Sequence, residues 1–205
     1  GMKPVLAAFA GHAPVALKKH FPDAKITLRD DWAGFPMSDR CYFLDPSDPL
    51  YLQVQKTYLA IQDSLFGTDH IYGIDPFNEQ ESPDWSEEFL HNASAGIFNT
   101  LRAADPKAQW LQMTWNFYND AKNWTKPRMK AFLEGVEGDA LLLLDYFCDR
   151  AEIWRRNDSY FGKPFIWCYL GNFGGNTMMA GDIADVDKKI SVALREAGPN
   201  LVGLG

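Results

Sequence analysis

Apolar and polar positions along this chain fall into blocks that read alternately as strand and helix. Short apolar runs at residues 5–9, 71–74, 110–113, 141–144, 164–168 and 201–204 have the length and bounding turn residues of strands, and their unbroken apolarity suits strands buried in a parallel sheet. Between them lie helical patterns. Asp48-Pro49 puts a capping carboxylate and a first-turn proline ahead of Leu50, Val54, Tyr58, Ile61 and Leu65, one apolar stripe at helical spacing, and Gly67 is its expected stop. Ser82-Pro83 predicts the next start, with Trp85, Phe89, Ala93, Ile97 and Leu101 down one face. Further helices are expected near 127–136, 150–156 and 186–197. The segment between the first strand and Asp48 is rich in Pro, Asp and Trp and shows no period, so it reads as irregular.

Strand and helix in alternation call for a parallel sheet with covering helices. A doubly wound open sheet ordinarily marks its first turn with a glycine-rich phosphate loop. None is present, because Gly171-Asn172-Phe173-Gly174-Gly175-Asn176 lacks that spacing. A (β/α)8 barrel ordinarily takes about 250 residues. The predicted class is therefore α/β: a TIM-like (β/α)8 barrel, incomplete in this chain at about six of eight strand–helix units, with residues 1–205 forming a single partial barrel domain.

Composition narrows the function classes. The 205 residues are 46% hydrophobic and 14% aromatic, enough for one well-packed core. A formal charge of -7, with basic residues scattered as pairs such as Lys18-Lys19 and Arg155-Arg156, disfavours a nucleic-acid partner. No apolar run approaches the roughly 18 residues of a membrane span, and Met2-Lys3-Pro4 leads directly into a strand pattern rather than a signal peptide. Cys41, Cys148 and Cys168, with His12, His20, His70 and His91, lack metal-ligand spacing; Cys148 and Cys168 read as small buried thiols near strand ends. Three glycosylation sequons begin at Asn92, Asn123 and Asn157.

The candidate chemistry lies in Ile71-Tyr72-Gly73-Ile74-Asp75-Pro76-Phe77-Asn78-Glu79-Gln80, where a strand pattern ends abruptly in Asn-Glu. Barrel enzymes carry catalytic groups at such strand ends. Glu79 reads either as a general acid for a sugar-leaving oxygen or as a residue favouring the next helix's positive end. Asn78 is either a sugar contact or a turn residue, and Asp75 holds either a sugar hydroxyl or a backbone amide. Trp115 and Trp167, near strand ends, are candidates for lining a pyranose pocket, with core packing as the other reading. Tyr146 and Asn172 are further candidates, and His12 is either structural or a substrate contact.

Three stretches resemble signatures of glycoside hydrolase family 89, the α-N-acetylglucosaminidases. They are Gly1-Met2-Lys3-Pro4-Val5-Leu6-Ala7-Ala8-Phe9-Ala10-Gly11-His12; Gly67-Thr68-Asp69-His70-Ile71-Tyr72-Gly73 with Phe77-Asn78-Glu79; and Phe165-Ile166-Trp167-Cys168 with Asn172-Phe173-Gly174-Gly175-Asn176. The resemblance runs the length of the chain, departing at Gly171, where members often have His, and at Ala7, where they often have Pro. It implies a TIM-like barrel, no cofactor or metal, and retaining removal of terminal α-linked N-acetylglucosamine from glycans or heparan sulfate-like glycosaminoglycans. Glu79 would be the acid/base, the nucleophilic Glu would lie beyond residue 205, and the location would be extracytoplasmic. The competing expectations are a non-catalytic carbohydrate-binding barrel and a retaining glycosidase of other sugar specificity.

Overall fold

The computed structural model describes residues 1–32, 34–171 and 181–205. In chain order the elements are β1 (Leu6–Ala7), β2 (His12–Ala13), α1 (Val15–His20), β3 (Ile26–Leu28), β4 (Tyr42–Leu44), α2 (Pro49–Phe66), β5 (Ile71–Gly73), α3 (Glu87–Ala104), β6 (Gln109–Met113), α4 (Trp115–Asn119), α5 (Lys126–Glu134), β7 (Leu141–Asp145), α6 (Ile153–Arg156), β8 (Phe165–Trp167), α7 (Ile183–Glu196) and β9 (Leu201–Leu204). Six strands form one parallel sheet in the order β1-β5-β6-β7-β8-β9, which leaves β1 and β9 as edges of an unclosed barrel. Each of the six expected strands is present.

Alternation within the strands separates two faces. Trp110, Leu141, Leu143, Phe165 and Trp167 are buried toward the helices, where Trp110 meets Phe132 of α5 at 5.9 Å and Phe165 meets Tyr160 at 5.3 Å. Leu111, Met113, Leu142, Leu144 and Ile166, on the opposite face, are only half-buried. That face is the barrel interior, and six strands do not enclose it.

Helix α2 begins and ends where expected, but its buried face is not the expected stripe. Asp48 Oδ1 accepts from the Leu50 amide at 2.8 Å, and Gly67, at φ 70°, terminates the helix. The buried residues are Leu50, Tyr51, Gln55 and Leu59, whereas Tyr58, Ile61 and Leu65 are exposed. The reason is polar. Gln55 Oε1 accepts from the Phe9 amide at 3.0 Å, Tyr51 donates to the Phe9 carbonyl at 2.8 Å, and Gln62 donates to the Ala7 carbonyl at 2.9 Å. These side chains supply hydrogen bonds that the chain around the edge strand β1 would otherwise lack.

Helix α3 starts four residues after Pro83. Ser82 donates to the Asp84 carbonyl at 2.6 Å and Asp84 Oδ1 accepts from the Ser86 amide at 2.7 Å, so Ser86 becomes the cap, accepting from the Phe89 amide at 3.2 Å. Trp85 lies ahead of the helix and packs edge-on against Trp124 at 5.3 Å. The segment expected to be irregular holds an antiparallel sheet, β2-β4-β3, pairing His12 with Phe43 and Thr27 with Phe43. Its strands are of two or three residues, too short to show alternation. Gly11 adopts φ 102° beside it, and a Cβ there would stand 2.6 Å from the Phe43 ring.

Cys148 is buried and Cys168 half-buried; both are free thiols, and burial pushes the Cys168 thiol up to about 11. Asn157 is buried with Nδ2 donated to the Ile153 carbonyl at 3.0 Å, which withdraws that sequon from modification in the folded chain. No described helix is long and apolar enough to cross a membrane.

Candidate active site

The turn after β5 sits at the C-terminal end of the sheet. The Ile74 amide still donates to the Leu111 carbonyl at 3.1 Å, and Asp75 Oδ1 then accepts from the Met113 amide at 2.9 Å, so a side chain replaces the next backbone rung toward β6. Burial raises Asp75 to about 6, while the Met113 amide opposes that rise. Phe77 pins the turn from below, 5.5 Å from Phe43, 6.2 Å from Phe132 and 6.4 Å from Trp124.

With Phe77 fixed, the chain rises through half-buried Asn78 to Glu79, which is exposed and left-handed at φ 53°. Such a backbone is uncommon for a residue with a side chain and costs about 1–3 kcal/mol. Here the strain coincides with a carboxylate held at both oxygens. Trp115 Nε1, at the start of α4, donates to Oε1 at 2.8 Å, and Trp32 Nε1 donates to Oε2 at 3.0 Å.

Each indole belongs to a different support. Trp115 packs against Tyr118 at 5.4 Å and Phe147 at 5.9 Å, an aromatic wall built from the ends of β6 and β7. Trp32 lies in the connection between β3 and β4, stacked on Phe35 with ring centroids 5.5 Å apart. Gln80 ties the same connection to the turn, its Oε1 accepting from Arg29 Nε at 3.4 Å and Cys41 Sγ at 3.6 Å. Arg29 is buried and its pKa is lowered by that burial, with Asp30 opposing. Burial also lowers His12, with Arg29 adding to the effect; its ring stands edge-on to Phe43 at 6.0 Å.

A hollow of about 240 Å³ is lined by Phe77, Glu79, Gln80, Glu81, Asn116, Asn119 and Asp120. It is smaller than the roughly 300–1,000 Å³ of whole small-molecule pockets. Asn116 is 4% exposed there and its Oδ1 has no protein partner. A larger cavity, about 550 Å³, opens beside Arg102, Lys107, Gln109, Glu137 and Asp139. It lies where β6 and β7 begin, at the opposite end from the one that carries chemistry in barrel enzymes. Among the described residues no group of three His, Cys, Asp or Glu is placed to hold a metal ion.

The structure thus brings Asp75, Asn78, Glu79 and Trp115 to one strand-end region, with Tyr146 half-buried directly after β7. It does not bring Trp167 there. Trp167 is 1% exposed and lines an apolar cleft with Ile183, Val186 and Ile190 of α7. Asp145 also faces the helices, fully buried, accepting from the Trp154 amide at 2.8 Å, and burial raises it to about 6. Asn172 lies outside the described residues. Trp32 was missed because an aromatic in a loop without periodicity carries no positional signal; only the general tendency of loops to carry function pointed toward it.

A parallel β/α barrel segment presenting a glutamate, gripped by tryptophans, at its strand ends defines the class: a TIM-like barrel domain. Residues 1–205 match the family model described as "Alpha-N-acetylglucosaminidase (NAGLU) tim-barrel domain". The chain belongs to that family. It is 37% identical over 206 residues to the Homo sapiens alpha-N-acetylglucosaminidase, covering all of this chain and 28% of that enzyme. Among solved structures, it superposes on the family 89 glycoside hydrolase of Clostridium perfringens in complex with 2-acetamido-1,2-dideoxynojirimycin, with TM-score 0.83, 25% identity, and coverage of 100% of this chain and 22% of that one. It likewise matches a variant of the Clostridium perfringens protein with two glutamate-to-glutamine substitutions, in complex with its substrate GlcNAc-alpha-1,4-galactose, at TM-score 0.82 and 26% identity, covering 100% of this chain and 22% of that one. The chain therefore spans about a quarter of the length of these relatives.

Proposed function

We propose that the protein carrying this chain is a retaining α-N-acetylglucosaminidase that removes terminal α-linked N-acetylglucosamine from glycans or heparan sulfate-like glycosaminoglycans, with Glu79 as general acid/base. The observation that carries this reading is the double indole clamp on Glu79 at the C-terminal end of β5. A clamped carboxylate keeps one geometry while it protonates the departing oxygen and then takes a proton from water.

Retention needs a second carboxylate at the anomeric carbon. In an α-linked glucosaminide the 2-acetamido group is cis to the leaving group, so it cannot attack from the rear and the protein must provide the nucleophile. We assign that role to a glutamate outside residues 1–205, as the resemblance implies. Asn78 donates to the 2-acetamido group or a neighbouring hydroxyl, Asp75 orients a hydroxyl, and Trp115 and Tyr146 form the wall. Trp167 is left out of the sugar contacts because it is buried and lines a cleft on the side of the sheet that faces α7. On the resemblance alone, the protein works outside the cytoplasm.

The test is a panel of aryl α- and β-glycosides with the complete protein, and proton NMR of the first-formed product. Turnover confined to the α-N-acetylglucosaminide, with the α-anomer appearing first, is expected. No turnover supports a binding barrel, preference for another sugar supports a glycosidase of other specificity, and an initial β-anomer removes the retaining mechanism.

A further inference from the structure

Asp145, the last residue of β7, carries a carboxylate that the proposed reaction does not use. It is 0% exposed, and burying a carboxylate is costly unless hydrogen bonds compensate. Its two oxygens are bonded from different elements. The Trp154 amide, in α6, donates to Oδ2 at 2.8 Å, and the Thr114 hydroxyl donates to Oδ1 at 3.4 Å. The fully buried Tyr160 stands beside the carboxylate, carried there by four residues, Asp158 to Phe161, that all hold positive φ without being glycine. Left-handed backbone is costly for such residues, so the chain is strained where it seats Tyr160.

Thr114 is where this cluster meets the clamp on Glu79. It is the cap residue of α4, where a threonine hydroxyl ordinarily accepts from the amides of its own helix. Here it makes no such bond and turns to Asp145 instead. The next residue is Trp115, whose Nε1 donates to Glu79 Oε1 at 2.8 Å. The Thr114 amide adds a second tie to β7, donating to the Leu144 carbonyl at 3.0 Å. Two residues beyond Asp145, Phe147 meets the Trp115 ring edge-on at 5.9 Å and the Tyr118 ring at 5.3 Å. One carboxylate thus fixes the residue before the indole and stands at the strand end that supplies the ring backing it.

We propose that Asp145, through Thr114, is a positioning residue for the proton donor: it holds Trp115 where the indole keeps Glu79 aimed at the leaving oxygen. This rests on the proposed reading of Glu79 as acid/base. The consequence is selective. Loosening Trp115 slows substrates whose leaving group must be protonated and spares those whose leaving group departs unaided.

The complete protein is assayed for kcat/KM on two substrates. One is an α-1,4-linked N-acetylglucosaminyl disaccharide, whose departing sugar needs a proton; the other is 2-acetamido-2-deoxy-α-glucosyl fluoride, whose fluoride leaves with little help. Thr114→Val deletes the hydroxyl at nearly constant volume and should lower the disaccharide-to-fluoride ratio about three- to tenfold, the worth of one hydrogen bond. Asp145→Leu, in whatever fraction folds, should lower it at least as far. Thr114→Ser should keep the parent's ratio, and so should Asp145→Asn, whose side chain can still accept from the Trp154 amide and donate to the Thr114 hydroxyl. In a Trp115→Phe background, Thr114→Val should change the ratio little further, because both act on one contact. An unchanged ratio in Thr114→Val overturns the inference, whatever its melting temperature, as does an equal fall in Thr114→Ser or an undiminished further loss in the Trp115→Phe background. Glu79→Gln tests the reading beneath it: the ratio should collapse there, and a Glu79→Gln protein that keeps the parent's ratio overturns the acid/base role itself.

Discussion

Trp32 Nε1 stands 3.0 Å from Glu79 Oε2 across 47 residues of chain, joining the connection of the small antiparallel sheet to the turn after β5. The small sheet is therefore part of how the Glu79 carboxylate is held. It reaches the same turn through Arg29 and Cys41, which both meet Gln80, and through Phe43, which packs on Phe77.

Glu79→Gln should fold like the parent and lose the proton donor. General acid catalysis is worth about 10²- to 10⁴-fold, so substrates with poor leaving groups should lose activity in that range. Activated aryl glycosides should lose less in the first step, and azide should then rescue the second, giving an α-azide adduct. Product analysis with and without azide checks this. Equal mild losses on both substrate classes, with no adduct, would move the role elsewhere.

Trp115→Phe keeps the ring and deletes the N–H that binds Oε1. A hydrogen bond to a charged group is worth about 1.5–3 kcal/mol. The expected result is a fall in kcat of about ten- to a hundredfold with KM little changed, since the ring wall persists. Steady-state kinetics beside a thermal melt distinguish this from unfolding; an unchanged kcat would show that Trp115 does not position the acid.

Asp75→Asn tests a buried carboxylate through its pH dependence. Burial lifts Asp75 from 3.8 to about 6 in the folded protein. Between those values the folded state holds more protons than the unfolded state, so this group's stabilisation is complete below about 3.8 and is lost as pH rises through about 6. The difference corresponds to about 3 kcal/mol, at about 1.4 kcal/mol per pKa unit. The variant, whose amide oxygen can still accept from the Met113 amide, should melt higher than the parent above pH 6. That advantage should shrink toward pH 4. Parallel melting curves against pH would contradict the assignment.

Trp167→Ala should act on stability first. Truncating a fully buried tryptophan costs about 3–5 kcal/mol, and Trp167 is 1% exposed and borders the cleft beside α7. Denaturant unfolding should show that loss, while the fraction that remains folded keeps the parent's KM. A raised KM without loss of stability would return Trp167 to the sugar pocket.

The six strands, the start and stop of α2 and the place of the Glu79 carboxylate at a strand end were legible in the residues themselves. Each depends on local order: apolar runs, a capping Asp48, a helix-ending Gly67, a carboxylate directly after an apolar run. The buried face of α2 was not legible, because Gln55 and Gln62 turn inward to serve backbone groups of Phe9 and Ala7 more than forty residues away. The start of α3 was misread because Ser82 and Ser86 are both plausible caps, and the hydrogen bonds around Asp84 choose between them. Trp167 was placed by its distance along a strand, yet the alternation of side chains points it at α7. The second indole on Glu79 was beyond reach for a similar reason. Trp32 sits in a stretch without period, and only the pairing of β3 with β4 brings it to Glu79. Sequence order alone determined which elements form and where the carboxylate stands; long-range hydrogen bonds and sheet pairing decided which side chains surround it.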